Sequence, residues 1–174
     1  MLFLFVLATA TLITAAVQGI RRRLDVRSTA RVGLAVGMAF AGTAHLAMPA
    51  PFLQHLPPWT PAAEAIIFVT GIAEIALGAA LVLGQPWRQR AGLALAAYLV
   101  AVFPGNLYVA VADVDVDGQP GGWYPWVRLP FQALFIVWAL WSTRPRAEVD
   151  GRRPAARGGA TGIRADRVQA PAQT

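Results

Sequence analysis

Phe68-Val69-Thr70-Gly71-Ile72-Ala73-Glu74-Ile75-Ala76-Leu77-Gly78 is the middle of an apolar run over about residues 63–84, with a carboxylate at its centre. About twenty residues rising about 1.5 Å each span the ~30 Å hydrocarbon core of a bilayer. Glu74 therefore falls near mid-membrane, where an ionisable side chain is expensive unless it faces protein or water. Gly71 and Gly78 lie on roughly the same helix face as Glu74. A face that small lets a neighbouring helix come close around the acid.

The rest of the chain fits that reading. Of its 174 residues, 56% are hydrophobic and 14% charged, and the mean hydropathy is +0.50. Such a composition belongs to a polytopic membrane protein with room for one domain. The net charge of +6 could suit nucleic acid, but all 15 basic residues are Arg and almost all flank apolar runs. That distribution is one of membrane topology and anionic-lipid attraction, and no nucleic-acid partner is expected. There is no Cys, which excludes thiol chemistry by this chain alone, Cys-held iron–sulfur clusters and Cys zinc sites.

Outward from the Glu74 run, four more apolar runs are legible at about 2–20, 30–48, 91–112 and 127–143. The first has no basic residues before it, and Arg21, Arg22 and Arg23 follow it. A cleaved signal peptide has the opposite charge order, so a retained helix is expected. In the second, Gly33, Gly37, Ala41 and His45 recur every four residues, a small-residue stripe that ends in an imidazole. Pro49, Pro51, Pro57, Pro58 and Pro61 make the next segment a stiff loop with a short turn near Phe52, Leu53 and Leu56. Thr60 is expected to cap the Glu74 helix, with Pro61 at its first position. His55 is expected at the loop surface. The fourth run contains Pro104, whose missing N–H leaves the Val100 carbonyl without its helical donor. Asn106 is placed to compensate.

Placing the first turn inside puts fourteen of the 15 Arg on the inner side, all but Arg128. The positive-inside rule then gives five spans, N-terminus outside and C-terminus cytoplasmic, in a bacterial-type inner membrane. The expected fold is all-α: a transmembrane four-helix bundle over 29–145, one additional N-terminal transmembrane helix over 1–23, and a disordered cytoplasmic tail over 146–174 rich in Arg, Ala, Gly and Pro.

His45, Glu74, Asn106 and Gln132 place one conspicuous polar residue on each of the last four helices. Side chains tilt toward their helix N-termini, which brings His45 and Glu74 toward each other in depth. These four are the candidate pocket residues, in the outer half of the bundle. Glu74 can serve as proton carrier, ligand anchor or interhelical hydrogen bond. Asp113-Val114-Asp115-Val116-Asp117-Gly118 begins like a calcium loop, but position 124 is Tyr where the closing Glu belongs and Pro120 interrupts it. No metal site is expected.

Several motifs in order resemble the DoxX-like membrane proteins. They are Ala44-His45, Pro57-Pro58-Trp59-Thr60-Pro61, Gly71-Ile72-Ala73-Glu74-Ile75-Ala76-Leu77-Gly78, Val102-Phe103-Pro104-Gly105-Asn106-Leu107-Tyr108 and Arg128-Leu129-Pro130-Phe131-Gln132. The resemblance covers about 29–145 and implies a four-helix membrane bundle. Some members of that family are linked to quinone-dependent or redox complexes as small membrane subunits; most lack a defined activity. The run 2–20 is extra to the pattern, and Leu46 stands where relatives often carry an aromatic. The expected function is a non-catalytic membrane subunit of a redox or envelope complex, its pocket holding a quinone-like or lipid-like ligand with no covalent cofactor. The alternatives are a proton-linked transporter or channel using Glu74 and His45, and an assembly factor that packs against client helices. Transport would favour an inverted repeat and a polar path inward; the sequence has neither.

Overall fold

The computed structural model describes residues 2–22 and 24–145. Within them the chain forms helices α1 (Leu2–Ile20), α2 (Val26–Ala47), α3 (Ala50–Leu53), α4 (Ala63–Leu81), α5 (Trp87–Val111) and α6 (Tyr124–Thr143). Helices α1, α2, α4 and α5 are each long and apolar enough to cross a membrane. Helix α6 has the length at 20 residues, but Arg128, Gln132 and two prolines make it more polar. The fold is a membrane-type bundle of α2, α4, α5 and α6 with α1 added against α2. The tail expected over 146–174 lies outside the described residues.

The helices begin and end where local chemistry allows. Helix α2 starts at Val26, four residues before the apolar run, because the Asp25 side chain accepts from the Ser28 N–H. Helix α4 does not start as expected. Thr60 makes no cap: its own N–H closes a turn onto the Pro57 carbonyl, and left-handed Ala62 (φ 52°) leads into the helix. The prolines of this segment take the backbone through its own turn, which moves the helix start past Thr60 and Pro61. The last carbonyls of α6 are covered by other elements. Arg31 Nη1 donates to Ser142 O at 3.1 Å and Gln85 Nε2 to Thr143 O at 3.2 Å. A cation at a helix C-terminus also opposes the negative end of its dipole.

Two close helix contacts set the architecture. A Cβ on Gly33 or Gly37 would run into Thr11, Phe3 and Leu7 of α1. A Cβ on Gly42 would run into the Gly71 carbonyl of α4, and one on Gly71 into His45 Cβ at 2.9 Å. The four-residue stripe on α2 thus serves two neighbours. Four residues turn about 400°, so the stripe drifts about 40° per step and about 120° between Gly33 and His45. Its first half meets α1 and its end meets α4. Leu34, Met38, Leu81, Leu95 and Ala139 fill the core at the end of the bundle that carries the 82–86 turn. His45, Glu74, Asn106 and Gln132 lie toward the other end, while Thr29, Ser142 and Thr143 are buried at this one.

Candidate functional site

Glu74 lies in the middle of α4 and is 7% exposed. Its Oε1 accepts from the Tyr98 hydroxyl of α5 at 2.8 Å. Its Oε2 lies 2.9 Å from His45 Nδ1 of α2. This second contact is close in distance but poorly aligned as a hydrogen bond, because the same Nδ1 lies 3.0 Å from the Ala41 carbonyl one turn back. A carbonyl can only accept, so the Nδ1 proton is shared between two acceptors and the ring orientation is fixed. Phe52 of α3 stacks on the imidazole with ring centroids 3.8 Å apart. His45 Nε2 has no hydrogen-bond partner among the described residues.

Gln132 and Asn106 form a different unit. Asn106 Nδ2 donates to Gln132 Oε1 at 3.0 Å, and Gln132 Nε2 donates to the Leu99 carbonyl in a short contact. That carbonyl neighbours Val100, whose helical donor Pro104 removes. The pair therefore ties α6 to the α5 backbone one residue before the carbonyl that Pro104 leaves without its helical donor. Gln132 is the residue that reaches the α5 backbone, and Asn106 orients it. Sequence reasoning assigned the compensating role to Asn106. The structure joins His45 to Glu74 and Asn106 to Gln132, with α5 between the two pairs: Tyr98 meets one and the Leu99 carbonyl the other.

Tyr98 was not among the expected site residues. Its signal was present, since a tyrosine inside an apolar helix needs a partner for its hydroxyl. Glu74 is seven residues from the end of α4 and Tyr98 eleven from the start of α5. Opposite side-chain tilts close that difference of about four residues, about 6 Å.

His55 is not a free surface residue. Its Nδ1 lies 3.0 Å from the Pro51 carbonyl and its Nε2 2.8 Å from Arg128 Nη1. The first contact requires an N–H and the second a lone pair, so the ring is neutral. Burial, then the nearby Arg128 charge, lowers its pKa to about 4. The Pro-rich loop is seated on α5: a Cβ on Gly105 would lie 3.1 Å from the His55 carbonyl, and Trp59 meets Tyr108 edge-on at 6.3 Å. In the acidic loop, Asp117 is clipped to Gln54. Its Oδ2 and N–H each bond the Gln54 amide at 2.8 Å. Among the described residues no three His or carboxylate side chains converge as a metal site would need.

A half-open cavity of about 430 Å³ lies between the end of α2, α3 and the start of α4. Leu46, Leu53, Ile67 and Phe68 give it apolar walls, and His45 and Glu64 are its polar lining residues. Phe68 and Leu46 are themselves exposed on the outside of the bundle, so the cavity is reached from the apolar surface. The arrangement can hold an amphiphile, its apolar body along α4 and its polar atom at His45. Glu74 and Tyr98 fix the imidazole from behind.

No curated protein and no solved structure matches the chain. A family model described as a domain of unknown function (DUF8561) matches residues 34–143, from within α2 to the end of α6. The match leaves out α1, spans more than half of the sequence and holds all four candidate residues together with Tyr98; the chain belongs to the DUF8561 family.

Proposed function

We propose that this protein is a non-catalytic membrane subunit of a redox or envelope complex that holds a quinone-like or lipid-like molecule at His45. It sits in a bacterial-type inner membrane with the Pro-rich loop outside. The observation that carries the reading is the cavity of about 430 Å³, apolar-walled and open to the bundle surface, with His45 in its lining. A histidine buttressed by Glu74 and stacked on Phe52 is a fixed hydrogen-bonding group for a carbonyl or hydroxyl head. The motif resemblance to DoxX-like proteins supports the redox setting. Transport ranks lower, because the apolar core around Leu34, Leu81 and Leu95 occupies the other half of the bundle. Among the described residues that half buries Thr29, Ser142 and Thr143 but no carboxylate or histidine.

The test is to purify the full chain in mild detergent and quantify bound quinone and lipid by native mass spectrometry. Leu53→Trp narrows the cavity and His45→Ala removes its polar group. Both should lower retention of the bound amphiphile and of added decylubiquinone. Equal retention in wild type and both variants, each folded, defeats the reading.

A further inference from the structure

Arg128 lies one turn into α6, beneath the Pro-rich loop. Its Nη1 donates to His55 Nε2 at 2.8 Å and to Gln119 Oε1 at 2.6 Å. Its Cζ lies 5.9 Å from the centre of the Tyr124 ring. Every one of these partners is neutral, including His55, whose pKa is lowered to about 4. Among the described residues no carboxylate pairs with Arg128. Of the loop acids, Asp117 is held by Gln54. Taking a guanidinium partly out of water without a counter-ion is costly. The structure nonetheless fixes this one in place.

What is fixed is one edge. Nε and Nη2 have no hydrogen-bond partner among the described residues, and neither is sealed in the interior. A planar guanidinium pinned through Nη1 presents Nε–H and Nη2–H as a two-donor fork, which matches two oxygens of a phosphate or carboxylate. Depth supports phosphate. Trp59, Trp123 and Trp126 are 78%, 64% and 54% exposed at the same end of the bundle, as indoles at the headgroup level are. In the expected topology Arg128 is also the one Arg on the outer side.

We propose that Arg128 is a binding site for a phosphate-type oxyanion at the membrane surface, with the Nε–Nη2 edge taking two oxygens while His55 and Gln119 hold Nη1. The site is separate from the cavity at His45. The anion can come from a phospholipid headgroup or from solution, and the test separates the two. The purified full chain is titrated with phosphatidylglycerol, with diacylglycerol of the same tails, and with radiolabelled inorganic phosphate. Wild type should bind phosphatidylglycerol at least about tenfold more tightly than Arg128→Gln, from the worth of charged hydrogen bonds. Diacylglycerol should bind both alike. Arg128→Lys keeps the charge but not the fork and should recover only part of the affinity. If inorganic phosphate shows the same tenfold loss, the site takes free oxyanion; if only the lipid does, the headgroup is the ligand. Arg128→Lys equal to wild type for both probes overturns the proposal, and so does equality of all three proteins. Should Arg128→Gln fail to fold, the comparison with Arg128→Lys decides alone.

Discussion

Replacing Glu74 tests whether it is the keystone between α2, α4 and α5. In Glu74→Leu the Tyr98 hydroxyl loses its acceptor, and His45 Nδ1 keeps only the Ala41 carbonyl. One buried donor left unpaired costs about 1–3 kcal/mol. At roughly 2–4 °C per kcal/mol for a chain of this size, the midpoint should fall by about 2–12 °C. Tyr98→Phe alone strands Glu74 Oε1 and should cost a similar amount. Glu74→Leu with Tyr98→Phe removes both polar ends at once, so its cost should fall short of the sum by about 1–3 kcal/mol. Glu74→Gln keeps the shape: the amide oxygen faces His45 Nδ1–H and the NH₂ faces the Tyr98 oxygen. It should remain within about 1 kcal/mol of wild type if the group is structural. Thermal unfolding in mild detergent, with reversible SDS titration for the energies, gives all four numbers. A double variant that equals the sum within about 0.5 kcal/mol would refute the coupling.

Lowering pH should loosen the Pro-rich loop. Unfolded His55 titrates near 6.5 and the folded residue near 4, so between those values the unfolded chain binds more protons and stability rises with pH. The contribution is complete above about 6.5 and lost as pH falls toward about 4; His55→Gln should flatten the melting-point slope across that window, and an unchanged slope would count against the contact. Gly71→Ala should destabilise by about 1–3 kcal/mol, since its methyl meets His45 Cβ at 2.9 Å, while Gly84→Ala, in open space, should change little. Reporters fused within residues 113–123 should score as outside and those at 84–86 as cytoplasmic, and the reverse result would invert the proposed orientation.

The helices were legible because apolar length survives almost any local detail. Their starts were less so. Helix α5 begins at Trp87, not 91, since Arg88 and Arg90 interrupt the apolar pattern without interrupting the helix. Helix α6 begins at Tyr124, ahead of the apolar run that follows it. The site was legible in part. A lone acid with glycines on its face announces a close neighbour, and α2 is that neighbour. Which partner meets which oxygen was not legible, because it depends on rotation about helix axes. The α2 stripe shows why: a drift of about 40° every four residues decides that His45, not Gly33, faces α4. His55 was misread for a related reason. A histidine among prolines looks solvent-exposed until α5 offers the loop a seat at Gly105, next to Pro104.

The separation of the polar residues into two groups bears on what the bundle can do. A proton path would string its titratable groups in sequence, yet Asn106 and Gln132 do not titrate and are occupied with the α5 backbone. That leaves Glu74, His45 and Tyr98 as a compact cluster, with its accessible side toward the cavity and its other side against apolar core. On the proposed reading this cluster holds a ligand's polar atom at the cavity rather than passing a proton through the membrane. The rigidity of the surroundings serves the same end. Gly42 and Gly71 bring two backbones into contact beside Glu74, and the Asn106–Gln132 pair stiffens α5 one residue from Tyr98. Each of the three polar side chains therefore stands on a helix held against a neighbour, and His45 meets the cavity in a fixed orientation.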